Sequence, residues 1–168
     1  MNFIYIRHGE TEFSRNNFFA GRKDIPLLEQ TPESIFKITS QIRHYPSPTK
    51  IYHSPLLRAV QTKNIIINEL NLTHVESFSN DMLIERDFGE FEGKEKNIKN
   101  RDALVKGIAV EPFDLVKERA RLFIMSTMAD DNFWIIGHSS FYRALKEITE
   151  QNSLPLKINC GQAIHFRL

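Results

Sequence analysis

Short apolar runs alternate with amphipathic stretches along this chain, and this alternation limits the possible fold more than any other feature. Strands are predicted where the runs are short, aromatic and β-branched, at 2–6, 50–53 and 133–138, with weaker candidates at 74–78 and 163–168. Helices are predicted where apolar residues recur with helical spacing, at 32–44, 56–70, 113–128 and from 139 to about 150. This rhythm predicts an α/β fold, a three-layer α/β/α sandwich with a mostly parallel central sheet.

Length and composition narrow the class of protein. A chain of 168 residues without repeats or a Gly/Ser linker is the size of one domain, so a single domain over 1–168 is expected. Lys+Arg 22 against Asp+Glu 21 gives a net charge of +1, which excludes a global field that recruits nucleic acid or an anionic membrane. Anion binding therefore requires a local cluster of cations.

The same composition gives an expected location. Cys160 is the single cysteine, and the sequence has neither a secretory h-region nor an apolar stretch of the roughly 20 residues that a spanning helix needs. A cytoplasmic protein without membrane association is expected.

Polar residues follow three of the predicted strands. The pairs are Arg7 and His8, His53 and Ser54, and Gly137 and His138. Open α/β sheets bind ligands beyond the carboxyl ends of their strands. These residues are therefore expected to meet at one crevice.

Four sequence blocks carry a family resemblance. They are "RHGETE" at 7–12, "SPLLRAVQT" at 54–62, "LIERDFGEFEG" at 83–93 and "GHSSFYRAL" at 137–145. In order and spacing they resemble the histidine phosphatase superfamily, which includes metal-independent phosphatases and phosphoglycerate mutase-like enzymes. One such motif alone is weak evidence for the family. Four motifs in the family's order, spanning most of the chain, are strong evidence.

The resemblance implies a phosphoryl-transfer site with no metal and no cofactor. His8 becomes the phosphohistidine, and Arg7, Arg58 and His138 surround the phosphoryl group. The chemistry agrees, because arginine binds two oxygens with a rigid, permanently charged fork. Adjacent guanidinium groups also favour the neutral imidazole that a nucleophile requires.

A carboxyl group is needed to protonate the leaving alkoxide and later to deprotonate water. The residues alone leave Glu85, Asp87, Glu90 and Glu92 as candidates. The resemblance selects Glu85.

Three further substrate-binding residues are expected, two from the resemblance and one from the predicted start of a helix. Ser14 stands where the family commonly has an asparagine that donates to phosphate. Gly21 offers a backbone contact, and Ser139 begins a predicted helix whose N–H groups can point at an anion.

Some of these residues also have simpler structural interpretations, and for Arg58 and His138 the joint occurrence of the four blocks decides against them. Arg58 can lie on the solvent face of an amphipathic helix, and His138 can be a core histidine beneath Trp134. The charged segment 92–102 is most simply a solvated, mobile stretch.

The expected substrate is a small phosphomonoester. Mutases of this family carry a larger insertion that shields phosphohistidine, whereas this chain has only a short cap around 86–112, which favours a phosphatase. The alternatives are a phosphoglycerate mutase-like phosphotransferase, a protein phosphohistidine phosphatase, and an inactive relative that binds a phosphorylated ligand. A fourth alternative is a metal site built from His8, His138 and Glu85.

Overall fold

A five-stranded sheet forms the centre of the computed structural model, which describes residues 1–168. Its strands are β1 (Asn2–Arg7), β2 (Ile51–His53), β3 (Ser77–Ser79), β4 (Phe133–Gly137) and β5 (Ala163–Arg167). They lie in the order β3-β2-β4-β1-β5, with β5 antiparallel to β1 and all other neighbours parallel. The predicted mostly parallel sheet is confirmed.

Helices cover both faces of this sheet. They are α1 (Glu12–Arg15), α2 (Pro32–Thr39), α3 (Leu57–Glu69), α4 (Ile98–Ala103), α5 (Phe113–Ser126) and α6 (Ser139–Ile148). Alternate side chains of β1 and β4 pack to opposite sides, because successive strand residues point to opposite faces. One core cluster joins the sheet to α5 and α6, and the other joins it to α2 and α3. The predicted three-layer α/β/α sandwich is confirmed.

Helix α2 is shorter than its pattern predicts. It ends at Thr39, whose hydroxyl donates to the carbonyl of Ile35 at 3.0 Å, and turns occupy residues 40–44. Such bonds from a threonine side chain back to the helix compete with the regular backbone ladder. Ile42 is still fully buried, so the apolar spacing continues beyond the helix that it suggested.

The pairing of β1 with β4 brings two histidines to one edge of the sheet. Arg7 lies opposite Gly137, and each is followed directly by a histidine. The His8 amide donates to the Gly137 carbonyl at 3.0 Å, which continues the ladder by one residue. The register alone therefore places His8 beside His138.

The segment 86–112 packs against the loop at 17–19. The Phe19 amide donates to the Lys94 carbonyl at 2.9 Å, and the Lys96 amide donates to the Asn17 carbonyl at 2.8 Å. Phe19, Phe88 and Phe91 form a small buried cluster beneath it.

None of the helices is long and apolar enough to traverse a bilayer.

Candidate active site

A cavity of about 550 Å³ opens at the carboxyl edge of the sheet. The predicted site residues on its wall are Arg7, His8, Ser14, Gly21, Arg58, Glu85 and Ser139. His138 is fully buried and does not reach the wall, but its ring centroid lies 5.2 Å from that of His8. The structure therefore gathers all eight predicted site residues at or directly behind one cavity.

His8 is held in the tautomer that a nucleophile requires. Its Nδ1 lies 2.7 Å from the Gly9 carbonyl. A carbonyl oxygen only accepts, so Nδ1 carries the proton and Nε2 keeps its lone pair. Burial, and then the charges of Arg7 and Arg58, hold the pKa of His8 well below its usual value. The imidazole is therefore neutral across the physiological range.

Thr62 fixes the loop that orients His8. Its hydroxyl accepts from the Gly9 amide at 2.9 Å and donates to the Arg58 carbonyl at 2.7 Å. Thr62 is fully buried, so water does not compete for these bonds. Sequence reasoning did not assign this role, although Thr62 closes the second of the four blocks.

Arg58 is 0% exposed, so the interpretation as a solvent-facing helix residue is wrong. Its Nη1 donates to the Lys23 carbonyl at 2.8 Å and its Nη2 to the Gly21 carbonyl at 2.7 Å. Gly21 has φ +52°, and a Cβ there would overlap the Glu92 carboxylate. Glycine at this position therefore allows the loop to hold the guanidinium of Arg58.

Three buried nitrogens around His8 lack a hydrogen-bond partner: Arg7 Nε, Arg58 Nε and His138 Nδ1. Buried polar groups are nearly always paired, so an unpaired cluster indicates a ligand that is bound during function. Arg7 also donates from Nη1 to the Ile158 carbonyl at 2.8 Å, which fixes the position of its guanidinium. The arrangement suits an anion with several oxygens.

His138 is buried, as the core interpretation requires, but its contacts belong to the site. Its Nε2 lies 2.7 Å from Ser54 Oγ, and Ser54 Oγ also accepts from the Leu56 amide at 3.3 Å. Ser54 Oγ keeps a second lone pair and its own proton, so it can accept from Nε2 or donate to it; where it donates, the imidazole proton lies on Nδ1. Burial and the charge of Arg58 lower the pKa of His138 well below its usual value.

His8 and His138, the two buried histidines of the site, make stability depend on pH. Unfolded histidines titrate near about 6.5, whereas the folded pKa values of His8 and His138 are lowered. Their contribution to the free energy of unfolding is therefore complete above about pH 6.5 and is lost as the pH falls below it. We expect the free energy of unfolding in urea to fall from about pH 7.5 to about pH 5.5, by up to about 1.4 kcal/mol per pH unit per histidine.

The variant His8→Asn provides the control for this prediction. It removes the titration of His8 and leaves those of the other histidines whose pKa values burial lowers, His53, His138 and His165, so its stability depends less steeply on pH than that of the wild type. A wild-type stability that stays constant or rises on acidification would contradict the neutral, buried histidines.

Glu85 is distinguished from its competitors by position. It is 7% exposed, and its Oε1 accepts from the Arg86 amide at 2.8 Å and the Ser140 amide at 3.2 Å. The other candidate carboxylates accept amide protons away from the cavity, Asp87 from Gly89, Glu90 from Ile108, and Glu92 from Arg22 and Phe88. Of the candidates that sequence left open, Glu85 is the one on the cavity wall.

The two predicted serines on the wall differ in whether their side chains are already hydrogen-bonded. Ser14 Oγ accepts from the Thr11 amide at 2.8 Å and donates to the Thr11 carbonyl at 2.9 Å, as part of the capping box of α1. Ser139 is the first residue of α6, and the next amide, that of Ser140, is taken by Glu85. The N-terminus of α6 therefore donates a hydrogen bond to Glu85, and its first residue, Ser139, lies on the cavity wall.

Sequence reasoning missed most of the cations of this site. The cationic residues on the wall are Arg7, Arg58, Arg86, Lys96, Arg101, Arg143, Lys146 and Lys157, against the carboxylates Glu85 and Glu147. Burial and the charge of Arg7 lower the pKa of Lys96. The solvated interpretation of 92–102 is wrong for Lys96, which is half-buried on the cavity wall, whereas Arg101 is exposed, as predicted, although it lies on the same wall. Spacing gave no signal of this, because the contacts arise where the segment packs against the distant loop at 17–19.

The alternative of a metal centre finds no geometric support. No three histidine, cysteine or carboxylate side chains lie close enough together to hold a metal ion. His8, His138 and Glu85 therefore do not form the two-histidine, one-carboxylate set.

Comparisons with known proteins identify the family of this chain. A family model described as the histidine phosphatase superfamily (branch 1) matches residues 3–154. A 2,3-bisphosphoglycerate-dependent phosphoglycerate mutase of Parvibaculum lavamentivorans is 33% identical over 95 residues, 56% of this chain and 45% of that protein. The sedoheptulose 1,7-bisphosphatase of Saccharomyces cerevisiae is 32% identical over 100 residues, 54% of this chain and 36% of that protein. The match therefore covers less than half of each relative.

Solved structures share the fold across nearly the whole chain. YhfR of Bacillus stearothermophilus superposes with a TM-score of 0.78 at 18% identity, covering 99% of this chain and 91% of that one. A mycobacterial glucosyl-3-phosphoglycerate phosphatase gives a TM-score of 0.74 at 18% identity, covering 98% of this chain and 91% of that one. Together with the family model and the four blocks, these findings establish that the chain belongs to the histidine phosphatase superfamily.

Proposed function

We propose that this chain is a metal-independent phosphatase that hydrolyses a small phosphomonoester through a phosphohistidine on His8. The observation that carries the proposal is the set of buried, unpaired nitrogens of Arg7, Arg58 and His138 around a neutral imidazole. A phosphoryl group offers three oxygens, which suit these donors. Because the transition state is loose and its charge lies on those oxygens, positioning and cationic donors supply most of the catalysis.

In the first step, Nε2 of His8 attacks the phosphorus atom while the bond to the ester oxygen breaks. Arg7, Arg58 and the Nδ1 proton of His138 hold the phosphoryl oxygens. Glu85 enters as the acid and gives its proton to the leaving alkoxide. The products are phosphohistidine, the free alcohol and the Glu85 carboxylate.

In the second step, the Glu85 carboxylate takes a proton from water as the water oxygen attacks the phosphorus. The bond from phosphorus to Nε2 breaks, inorganic phosphate leaves, and His8 recovers its lone pair. One carboxyl group on the cavity wall serves both steps, because the leaving oxygen and the attacking water occupy the same position.

The short cap supports hydrolysis over transfer to a second substrate. In this proposal, residues 1–168 form one domain with its cap at 86–112. The cap contains only α4 and short 3₁₀ turns, so water has access to the intermediate. A single half-buried cysteine, Cys160, fits a reducing location such as the cytoplasm.

The cation-rich wall favours a substrate with a second anionic group, and it keeps a mutase-like phosphotransferase as the second candidate. Lys96 and Arg101 lie over the ring of Phe19 at 5.7 and 6.0 Å, without a carboxylate partner. Arg86 and Arg143 share the ring of Phe113 at 5.9 and 5.0 Å. Like charges placed together repel unless an anion lies between them.

We expect Lys96→Met to lower kcat/KM for propane-1,3-diol bisphosphate by about tenfold to a hundredfold. The loss for propane-1,3-diol monophosphate should be smaller, because that probe lacks the second anion. Lys99→Met is the matched control, because Lys99 lies in the same segment but not on the cavity wall. Equal losses of kcat/KM for the two probes would contradict a role of Lys96 in binding a second anionic group.

The proposal as a whole is tested with p-nitrophenyl phosphate and a panel of sugar, nucleotide and glycerate phosphates, assayed in excess chelator. Release of inorganic phosphate that the chelator does not reduce is the expected result. Transfer of phosphate between glycerate positions without release would favour the mutase. Turnover confined to a phosphohistidine protein would favour the protein phosphatase, and no turnover of any of them would contradict catalysis.

A further inference from the structure

One buried hydroxyl binds both main-chain groups of a site histidine. Tyr5, in the middle of β1, is fully buried, and its hydroxyl donates to the His138 carbonyl at 2.8 Å. The same hydroxyl accepts from the His138 amide at 2.8 Å. Tyr5 lies on the α5 and α6 side of the sheet and does not reach the cavity wall.

The contact depends on a glycine in the neighbouring strand. Gly137 precedes His138 at the end of β4, and a Cβ at this position would overlap the Tyr5 hydroxyl. The hydroxyl can therefore reach the main chain of His138 only because residue 137 has no side chain. Tyr5 and Gly137 are far apart in sequence, and the parallel pairing of β1 with β4 brings them together.

The bound turn carries two groups of the proposed mechanism. The ring of His138 is held from the other side by Ser54, at 2.7 Å, which leaves Nδ1 for the phosphoryl group. Two residues further on, the Ser140 amide donates to Glu85 at 3.2 Å. A shift of the turn therefore displaces both His138 and the carboxyl group.

We infer that Tyr5 is a positioning residue for the phosphoryl-transfer reaction, and that its hydroxyl, with Gly137, locks the turn that presents His138 and receives Glu85. The inference rests on the proposed function. Burial raises the pKa of Tyr5 well above its usual value, so the hydroxyl keeps the proton that it donates. In the lock, the tyrosine acts through His138 and does not touch the substrate.

The direct test is Tyr5→Phe, which keeps the ring and removes the hydroxyl. We expect kcat for p-nitrophenyl phosphate to fall by about tenfold to a hundredfold, with a smaller change in KM, because small displacements of catalytic groups are costly. Tyr142→Phe is the matched control. The ring centroid of Tyr142 lies 5.8 Å from that of Tyr5, and the Tyr142 hydroxyl also donates a partly buried hydrogen bond, to the Pro155 carbonyl at 2.6 Å. Equal effects of the two variants on kcat would overturn the lock.

A double-variant cycle separates the lock from general destabilisation. Gly137→Ala should lower kcat in the wild type, but much less in the Tyr5→Phe background, where no hydroxyl meets the new methyl group. Additive losses would overturn the inference.

A spectroscopic measurement separates failure of the lock from failure of the proposed function. The ring ¹⁵N resonances of His138 should move in Tyr5→Phe and stay in place in Tyr142→Phe. A wild type that hydrolyses no phosphomonoester would overturn the proposed function, and the resonances would then decide the lock. Unchanged resonances in Tyr5→Phe would overturn the lock whatever the activity.

Discussion

His8→Ala is expected to abolish turnover of p-nitrophenyl phosphate, with a loss of about 10⁴-fold or more. Nε2 of His8 is the only protein atom in the proposed scheme that forms a bond to phosphorus, and alanine offers no substitute. Arg7 and Arg58 remain, so the variant should still bind inorganic phosphate. The measurement is steady-state release of p-nitrophenolate, together with a phosphate-binding titration.

His53→Ala is the matched control for this result. His53 is the last residue of β2, much as His8 directly follows β1; it is also buried, and it places Nδ1 2.9 Å from the carbonyl of the next residue, Ser54. It does not line the cavity. We expect it to keep most of its turnover once folding is verified by circular dichroism, whereas comparable losses in the two variants would contradict a special role for His8.

Glu85→Gln is expected to have the second largest effect, and the effect should depend on the leaving group. A general acid contributes about 10²–10⁴-fold where the leaving oxygen needs a proton. An alkyl phosphate should therefore lose that factor in the first step. p-Nitrophenolate leaves without a proton, so formation of phosphohistidine from p-nitrophenyl phosphate should be affected much less. The measurement is single-turnover kinetics with both substrates.

Glu90→Gln makes the same chemical change outside the cavity. Glu90 accepts from the Ile108 amide at 3.1 Å and lies on the exposed side of the cap. It should leave both substrates unaffected. An equal loss for the alkyl and the nitrophenyl substrate in Glu85→Gln would show that Glu85 does not protonate the leaving group.

Local pattern was enough to predict the sheet and the edge at which the site lies. β1 and β4 consist of aromatic and β-branched residues that are buried on both faces, so sequence predicts them to within a residue. Because parallel strands share their carboxyl edge, His8 and His138 were expected together before any contact was known.

Contacts between distant segments were beyond the reach of sequence patterns. Lys96 and Arg101 belong to a charge-rich stretch whose composition is typical of a solvated surface, yet packing against Phe19 turns them toward the cavity. Nothing in the amphipathic sequence of its helix indicates that Arg58 is buried. Its burial follows from two loop carbonyls, at Gly21 and Lys23, that only the folded chain brings near.

Sequence patterns also gave no indication of the hydrogen-bond partners of the catalytic groups. Ser54 was expected at the crevice, but its bond to His138 follows from the meeting of β2 with β4. Tyr5 reads as an ordinary residue of a buried strand, and its hydroxyl acquires a role only through Gly137. Side-chain hydrogen bonds over long sequence separations depend on register, which a local pattern does not encode.

The central claim is a covalent bond between His8 and the phosphoryl group, and the most direct test is to trap it. Glu85→Gln, mixed with p-nitrophenyl phosphate and quenched in alkali, should carry one phosphoryl group per chain on His8. Its first step needs no acid, whereas its second step lacks the base. The label should be stable in base and labile in acid, and absent from His8→Ala. An acid-stable label, a label retained in His8→Ala, or turnover of p-nitrophenyl phosphate without any trapped phosphoryl group would contradict the account.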